Sequence, residues 1–290
     1  MKKHDFIIIG SGIIGLSMAK ALKDRQANAS ILVIEKEKAS AQHASGRNSG
    51  VLHSGFYYTA DSLKARFTVE GNKAMKAYVQ SKGLKINSCG KLVVAQNESE
   101  LEQLNELLKR GQRNGSNVQL IDEGAVFNIA PNVRTFKRAL HAPDTASIDP
   151  QEVCAAIEGD LQKLGVEFSC NTKYLGHSGQ VIHTTQGDFE GNKIINCAGL
   201  YADHVAQDFG YGRKYTMIPF KGLYLKYTKN KTDININVYP VPNLRNPFLG
   251  VHYTKTVHGD IKIGPTAIPA FWRENYDLRE GFSFGELAEV

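Results

Sequence analysis

The chain has 290 residues, 42% of them apolar, enough for a large core and, because single cores stop growing near ~250 residues, for two lobes. Its 35 basic and 29 acidic residues leave a net charge of +6, yet they are scattered, so no clustered basic run marks a nucleic-acid surface. Cys89, Cys154, Cys170 and Cys197 lie far apart without a C-x-x-C pair, which indicates neither a metal site nor a disulfide framework and fits a reducing cytoplasm.

Lys2-Lys3 followed by a largely apolar run to Leu22 imitates a secretory signal, but Asp5 and three regularly spaced glycines argue against one. No stretch reaches the roughly 18 uninterrupted apolar residues of a membrane span, so any membrane contact is expected to be peripheral. Phe6 to Ile9 reads as a buried parallel strand running into Gly10-Ser11-Gly12-Ile13-Ile14-Gly15. A helix follows, with Ile14, Met18, Ala21 and Leu22 at helical spacing. A second buried strand, Ile31 to Ile34, ends at Glu35, 20 residues after the last glycine.

Strand, G-x-G-x-x-G, helix, strand and terminal acid form a dinucleotide fingerprint. The first glycine makes the tight turn, the second admits a pyrophosphate, and the third lets helix pack on strand. Unpaired N–H groups at the helix N-terminus then face the phosphates. The expected contacts are Gly10, Gly12, Ile13, Ile14 and Gly15 at the turn, with Glu35 and Lys36 at the end of the second strand. A carboxylate at 35 repels a 2′-phosphate, which disfavours NADP and leaves NAD or FAD.

Ser45 to Tyr58, SGRNSGVLHSGFYY, is too polar and glycine-rich for a core element and is not a charged surface loop. It reads either as a loop built around a ligand or as an ordinary connection. Ser62 to Lys82 is expected to be helical through Leu63, Phe67, Met75, Tyr78 and Val79, with Gly83 closing it. Gly90 to Ala95 reads as a strand, and Glu98 to Arg113 as an amphipathic helix whose Leu101, Leu104, Leu107 and Leu108 face the core. Asp149-Pro150 starts a helix to Leu164. Val166 to Cys170 and Val181 to Thr185 are further strands, linked through Thr172 to His177. Lys193 to Gly199, KIINCAG, is an apolar strand ending in small residues and leading to Leu200-Tyr-Ala-Asp203 and a helix; such an end admits either a ligand or close helix packing. After Pro219 the aromatic and polar residues alternate, in 222–227, 239–242 and 247–253, as in an antiparallel sheet of a second lobe.

The order of GxGxxG, Glu35, GRNSGVLHSGFYY, NCAGLYAD, IPFKG, YPVP, and PFLGVHYT leading to IKIGPTAIPAF resembles the L-2-hydroxyglutarate dehydrogenase (oxidase) family over essentially the whole chain. That family lies within the D-amino-acid-oxidase-like group of FAD-dependent oxidoreductases. The resemblance implies a mixed α/β fold: a Rossmann-like FAD-binding domain with a parallel sheet (1–82 and 149–215) and a substrate domain with a mainly antiparallel sheet (83–148 and 216–290). It implies FAD as cofactor and oxidation of L-2-hydroxyglutarate to 2-oxoglutarate by hydride transfer to the flavin N5, with electrons passed to a quinone or to oxygen. The expected place is the cytoplasm, with peripheral association at the inner face of the membrane. Another hydroxy acid, glycerol 3-phosphate or an amino acid as substrate, an inactive nucleotide-binding fragment, and an NAD-dependent dehydrogenase are the alternatives.

By the same resemblance Ser45, Gly46, Asn48, Ser49 and Gly50 are FAD contacts, as are Cys197, Ala198 and Gly199, while Tyr174 belongs to a segment lying against the adenine. His53 and His252, from opposite lobes, are the candidate bases, since a histidine titrates near working pH; a covalent flavin link at His53 is a further option. A dicarboxylate substrate needs cations and hydroxyls around it, because buried unpaired charge is costly. Arg66, Lys221 and Arg47 are the cationic candidates, and Tyr57, Tyr58 and Tyr253 the hydroxyl donors. Lys221 stands where the family usually has arginine, which keeps the charge and loses the bidentate fork. Family members continue beyond the equivalent of Val290 with a glycine-rich G-[IV]-R-A-Q segment that contacts FAD, so a C-terminally truncated version is expected here and its FAD binding becomes an experimental question.

Overall fold

The computed structural model describes residues 2–243, 250–277 and 281–289. Strand β1 (Lys3–Ile9) leads through the glycine turn into helix α1 (Ile13–Arg25) and strand β2 (Ile31–Ile34). The chain continues through β3 (Val51–Leu52), α2 (Leu63–Ser81), β4 (Ile86–Asn87), β5 (Lys91–Val94), α3 (Ser99–Arg113), β6 (Gln119–Asp122), α4 (Glu123–Ile129), β7 (Arg138–Ala142) and β8 (Ala146–Ile148). Next come α5 (Pro150–Lys163), β9 (Glu167–Ser169), β10 (Tyr174–Ser178), β11 (Val181–Thr184), β12 (Gly187–Asn196) and, after a 3-10 turn at Gly199–Tyr201, α6 (Ala202–Asp208). Strands β13 (Phe220–Lys226), β14 (Asn237–Pro240), β15 (His252–Lys255) and β16 (Ile261–Pro269) precede α7 (Phe284–Glu289).

The mixed α/β architecture is the expected one. One sheet has the order β10-β11-β12-β1-β2-β9. Within it β12, β1, β2 and β9 run parallel, with Phe6 to Ile9 opposite Ile31 to Ile34. Strands buried on both faces need apolar residues at every position, and each residue of β2 is at most 3% exposed. A second sheet has the order β13-β16-β15-β14-β5-β7-β6. Its pairs from β16 to β14 and from β5 to β6 are antiparallel, and β14 joins β5 in parallel. A small sheet, β3-β8-β4, is antiparallel. The expected 247–253 strand begins only at His252; its Pro247 to Leu249 lie outside the described residues.

Two compact units emerge: Met1–Asn48, Pro150–Lys221 and Pro269–Val290 form the first, and Ser49–Asp149 with Gly222–Ile268 the second. Residues 49–82, expected with the nucleotide-binding half, therefore belong to the second unit, and 269–290 to the first. The cause is local bonding. β3 pairs with β8, and the Asn72 amide of α2 donates to the carbonyls of Leu52, His53 and Asp144. In the first unit, Arg273 pairs with Asp203 through two bonds of 2.8 and 2.9 Å. The Ser45–Tyr58 loop is thus divided between Asn48 and Ser49.

Three details depart from the sequence reading. Helix α1 buries Gly15, Leu16, Ala19 and Lys23, while Ile14 is 66% exposed. The inner face is chosen by closeness of approach, since a Cβ on Gly15 would stand 2.0 Å from the Gly10 carbonyl oxygen. Helix α2 buries Ala65, Asn72 and Val79 and leaves Leu63 and Phe67 exposed, because Asn72 is drawn inward by three carbonyls. Thr172 to His177 is not a plain link, for 174–178 is the strand β10, paired with β11. The leucine stripe of α3 does face the core: Leu104 and Leu107 pack with Phe56, Val93, Leu140 and Tyr239.

Candidate functional site

In the first unit a cavity of about 630 Å³ opens over the carboxyl ends of β1, β2 and β12. Its volume lies in the range of small-ligand clefts. Gly10, Gly12, Ile13 and Ile14 line it, with Glu35, Lys36, Ser45, Asn48, Tyr174, Cys197, Ala198 and Gly199. Gly10 has φ +103°, and a Cβ there would sit 2.4 Å from the Cys197 carbonyl oxygen, so only glycine brings these two strand ends together. Gly12 lies beside Ser45, whose hydroxyl accepts from the Ile13 N–H at 2.9 Å. That bond ties the loop to the start of α1, whose first turn carries no acidic side chain. The positive end of the helix dipole therefore faces the cavity without a protein carboxylate in that turn, which suits an anion.

Glu35 is 9% exposed and held rigidly. Its Oε2 accepts from the Ser11 N–H and hydroxyl at 2.9 and 2.8 Å, and its Oε1 from the Glu37 N–H at 3.0 Å. A carboxylate oxygen can accept more than one bond, so acceptor capacity remains for a ligand hydroxyl. Lys36 lines the cavity, but its ammonium is committed to Glu37 and Glu274. Burial opposes the charged form of Lys36, and the bonds to those two carboxylates outweigh it, so its pKa rises. Tyr201 donates to Glu274 at 2.6 Å, and His43 bridges Glu37 and the Tyr276 hydroxyl at 2.9 and 2.8 Å. Glu37, His43 and Glu274 are close enough to ligate a metal, yet the Lys36 ammonium is already bonded to both carboxylates. Tyr174 donates to Asp208, and burial together with that carboxylate pushes its hydroxyl pKa up.

Other expected cofactor residues have structural places. Gly15 lies under the turn, packed on Gly10. Gly46 is required by the Ala41 carbonyl oxygen, 2.1 Å from where its Cβ would be. Ser49 and Gly50 belong to the second unit, where Ser49 bonds Tyr224 and the Gly50 carbonyl accepts from the Ile148 N–H at 2.9 Å.

The second unit assembles a different chemistry. Lys91, on β5, is fully buried, and its Nζ lies 3.1 Å from His53 Nδ1 and 3.8 Å from the centre of the Tyr239 ring. Tyr239 stacks on His252 at 3.7 Å between ring centres and meets His53 edge-on at 6.3 Å. Both candidate bases therefore sit in one unit around one tyrosine, and not in opposite lobes. Burial, with Lys91 and His252 nearby, holds His53 well below its usual pKa. Burial, with a smaller effect from Lys91, brings His252 down to about 4. The His252 Nδ1 lies 2.8 Å from the Gly250 carbonyl oxygen, which fixes Nδ1 as the protonated nitrogen and leaves Nε2 as the acceptor. Burial lowers Lys91 to about 7, because no carboxylate among the described residues bonds to it.

The loop bearing His53 is shaped by donors to its carbonyls. Asn72 holds the carbonyl of His53, Ser116 that of Ser54, Asn114 those of Gly55 and Tyr58, and Arg110 that of Tyr57. Its polar composition conceals Phe56, which is fully buried in the core. The Tyr57 hydroxyl is buried without a partner among the described residues, and burial drives its pKa well up.

The remaining expected substrate residues are not gathered into this cluster. Arg66 lies on the exposed face of α2, 3.8 Å from Glu70, with its side chain 59% exposed. Tyr58 has the Lys64 ammonium over its ring. Lys221 is in the first unit and donates to Asn275 at 3.0 Å, and Arg47 there stacks on Tyr276. Tyr253 is 39% exposed while its strand neighbours His252 and Thr254 are buried, because successive side chains on β15 point to opposite faces. Lys91, Asn72 and Arg273 are the residues that sequence reasoning missed. The lysine opens the strand KLVV, and only a charged residue at the head of an otherwise buried apolar strand hinted at it.

Known proteins resemble the chain at the level of family, sequence and fold. The family model described as FAD dependent oxidoreductase (DAO) matches residues 5–285. An L-2-hydroxyglutarate dehydrogenase of Escherichia coli is 37% identical over 293 residues, covering 99% of this chain and 69% of that protein. The human mitochondrial L-2-hydroxyglutarate dehydrogenase is 37% identical over 290 residues, covering 94% of this chain and 62% of that protein. Among solved structures, dithionite-reduced L-alpha-glycerophosphate oxidase from Mycoplasma pneumoniae with FAD bound superposes with a TM-score of 0.82 at 27% identity, covering 94% of this chain and 74% of that one. Glycine oxidase from Geobacillus kaustophilus, at 19% identity and a TM-score of 0.80 over 99% of this chain and 76% of its own, shares the fold. With a glycine turn, an acid and a cleft that suit a dinucleotide, the chain belongs to the DAO family of FAD dependent oxidoreductases, has FAD as its cofactor, and stands alongside the L-2-hydroxyglutarate dehydrogenases within that family.

Proposed function

We propose that the protein oxidises the 2-hydroxyl of L-2-hydroxyglutarate to give 2-oxoglutarate. The observation that carries this reading is the 37% identity to the Escherichia coli L-2-hydroxyglutarate dehydrogenase over 99% of the chain. When bound, FAD supplies the acceptor for the two electrons and the C2 hydrogen. Gly10, Gly12, Ile13, Ile14, Ala198 and Gly199 would hold its pyrophosphate, Glu35 a ribose hydroxyl, and Thr172 to Tyr174 the adenine end. The chain's own chemistry lies in the second unit: His53 or His252 takes the hydroxyl proton, and Tyr57 offers a hydroxyl that has no other partner among the described residues. Electrons then leave to a quinone or to oxygen. No helix among the described residues is long and apolar enough to cross a membrane.

A second reading, oxidation of glycerol 3-phosphate, is favoured by the 0.82 TM-score with the Mycoplasma oxidase. Dye reduction by the FAD-loaded protein with L- and D-2-hydroxyglutarate and glycerol 3-phosphate separates the two. Turnover with the L isomer alone is expected. Equal response to both isomers, or turnover of glycerol 3-phosphate alone, overturns the first reading.

A further inference from the structure

The most unusual group outside the cofactor cleft is Lys91. It is fully buried at the start of β5, and its only hydrogen-bond partner among the described residues is His53 Nδ1, 3.1 Å away. The other titratable groups facing the pair are Cys89, Tyr57, Tyr239 and His252, none of which is a carboxylate. A lysine kept purely for stability would be poorly placed, since an unpaired buried ammonium is costly and an apolar side chain of the same length would fill the space. Lys91 is fully buried, and the residue it bonds, His53, is only partly so.

We propose that Lys91 and His53 form a proton relay in which Lys91 selects the tautomer of His53 and is the final acceptor of the proton that His53 removes. The relay rests on the oxidation proposed above. As the free amine, Lys91 accepts the Nδ1–H of His53 and leaves Nε2 with its lone pair. When the substrate O–H bond breaks and Nε2–H forms, the Nδ1–H bond breaks and Nζ–H forms. One proton has then moved from the hydroxyl to Lys91, no electrons have been transferred along the relay, and His53 ends neutral. The new ammonium lies against the face of Tyr239, where a cation is attracted to the ring. With Lys91 already protonated, His53 must accept at Nδ1 and carry its proton on Nε2, and it cannot act as a base. The burial that lowers Lys91 to about 7 places this changeover in the working range, with the relay competent above it.

The test has two readouts. Nitrogen-15 NMR of the purified chain, with His53 assigned from the His53→Gln spectrum, should show His53 changing from the Nε2–H to the Nδ1–H tautomer as pH rises through about 7. Lys91→Met should remove that transition, and Lys91→Gln, whose amide neither gains nor loses a proton as pH crosses neutrality, should hold His53 in one tautomer through that range. In dye reduction with L-2-hydroxyglutarate, both variants should fall by about 10²-fold at pH 8, the scale of general-base catalysis, and lose the rise through neutrality. A pH-independent tautomer in the wild type, or an unchanged transition in Lys91→Met, overturns the relay. Lys91→Met should melt at or above the wild type; if it does not fold, the Lys91→Gln spectra decide, and a transition that persists there overturns the relay equally. Failure of the substrate assay with a normal tautomer transition would count against the oxidation reading, overturn the proton transfer from that substrate, and leave only the selection of the His53 tautomer by Lys91.

Discussion

The pair Arg273–Asp203 allows a sharp prediction about how the cofactor cleft is held. Arg273 and Asp203 have side chains 1% and 9% exposed, joined by two bonds of 2.8 and 2.9 Å. The same guanidinium donates to the Leu200 carbonyl and lies 2.8 Å from His204 Nε2. Leu200 and His204 line the cavity, so this contact fixes its wall. Arg273→Met leaves the Asp203 carboxylate buried with the Met217 N–H, at 2.8 Å, as a remaining partner. Breaking a buried pair costs about 3–5 kcal/mol, and the surviving bond points to the lower end, ~3 kcal/mol. At ~2–4 °C per kcal/mol, the melting temperature should fall by ~6–12 °C, with faster release of FAD. Burial alone would raise the Asp203 pKa, but the bonds from Arg273 and Met217 carry it below the usual value. Its stabilisation is therefore complete above the unfolded carboxylate pKa of 3.8 and is lost as pH falls from there through the lower folded value, so the gap between variant and wild type should narrow only below that pH. The double variant Arg273→Met with Asp203→Asn should recover most of the loss. A shift below ~2 °C with unchanged FAD release, or a double variant no better than the sum of its parts, would refute the assignment.

Other substitutions probe the remaining features. Gly10→Ala adds a Cβ 2.4 Å from the Cys197 oxygen at φ +103°, and should cost about 3 kcal/mol or more in urea unfolding and abolish FAD uptake; wild-type behaviour would show that the turn can relax. Tyr57→Phe removes a buried hydroxyl without a partner among the described residues and should stabilise by about 1 kcal/mol while raising KM for the hydroxy acid; no change in either would remove Tyr57 from the site. His252, depressed from 6.5 to about 4 chiefly by burial, is neutral in both states above pH 6.5, whereas between 6.5 and 4 only the unfolded chain takes up its proton. Stability should therefore fall as pH drops through that window, by on the order of 3 kcal/mol, and His252→Gln should flatten the slope. An identical slope in the variant would contradict the neutral buried state.

The chemistry of the cleft was legible because its signals are local. The β1–turn–α1–β2 run couples a 2.0-period or fully buried pattern to a 3.6-period one across three glycines, and the steric demands at Gly10 and Gly15 act between residues close in sequence or at one strand end. Glu35 follows from strand length alone. Elsewhere periodicity misled. Ile14 and Leu63 sit at apolar spacing yet are 66% and 64% exposed, because inward faces were chosen by small residues and by Asn72.

The order of residues was enough to define the nucleotide turn, the acid that ends β2, and a glycine-rich loop bearing His53. It also carried, through long motifs, the family. What His53 meets is a matter of folding. Lys91 lies 38 residues away, His252 and Tyr239 still further, and β14 joins β5 in parallel to bring them together. Folding likewise divided the loop at Asn48 and attached 269–290 to the first unit through Arg273. The physical reason is common to these cases: a glycine's freedom or a strand's apolar run is set by its own backbone, whereas a buried amine acquires its meaning from groups that long-range strand pairing places beside it.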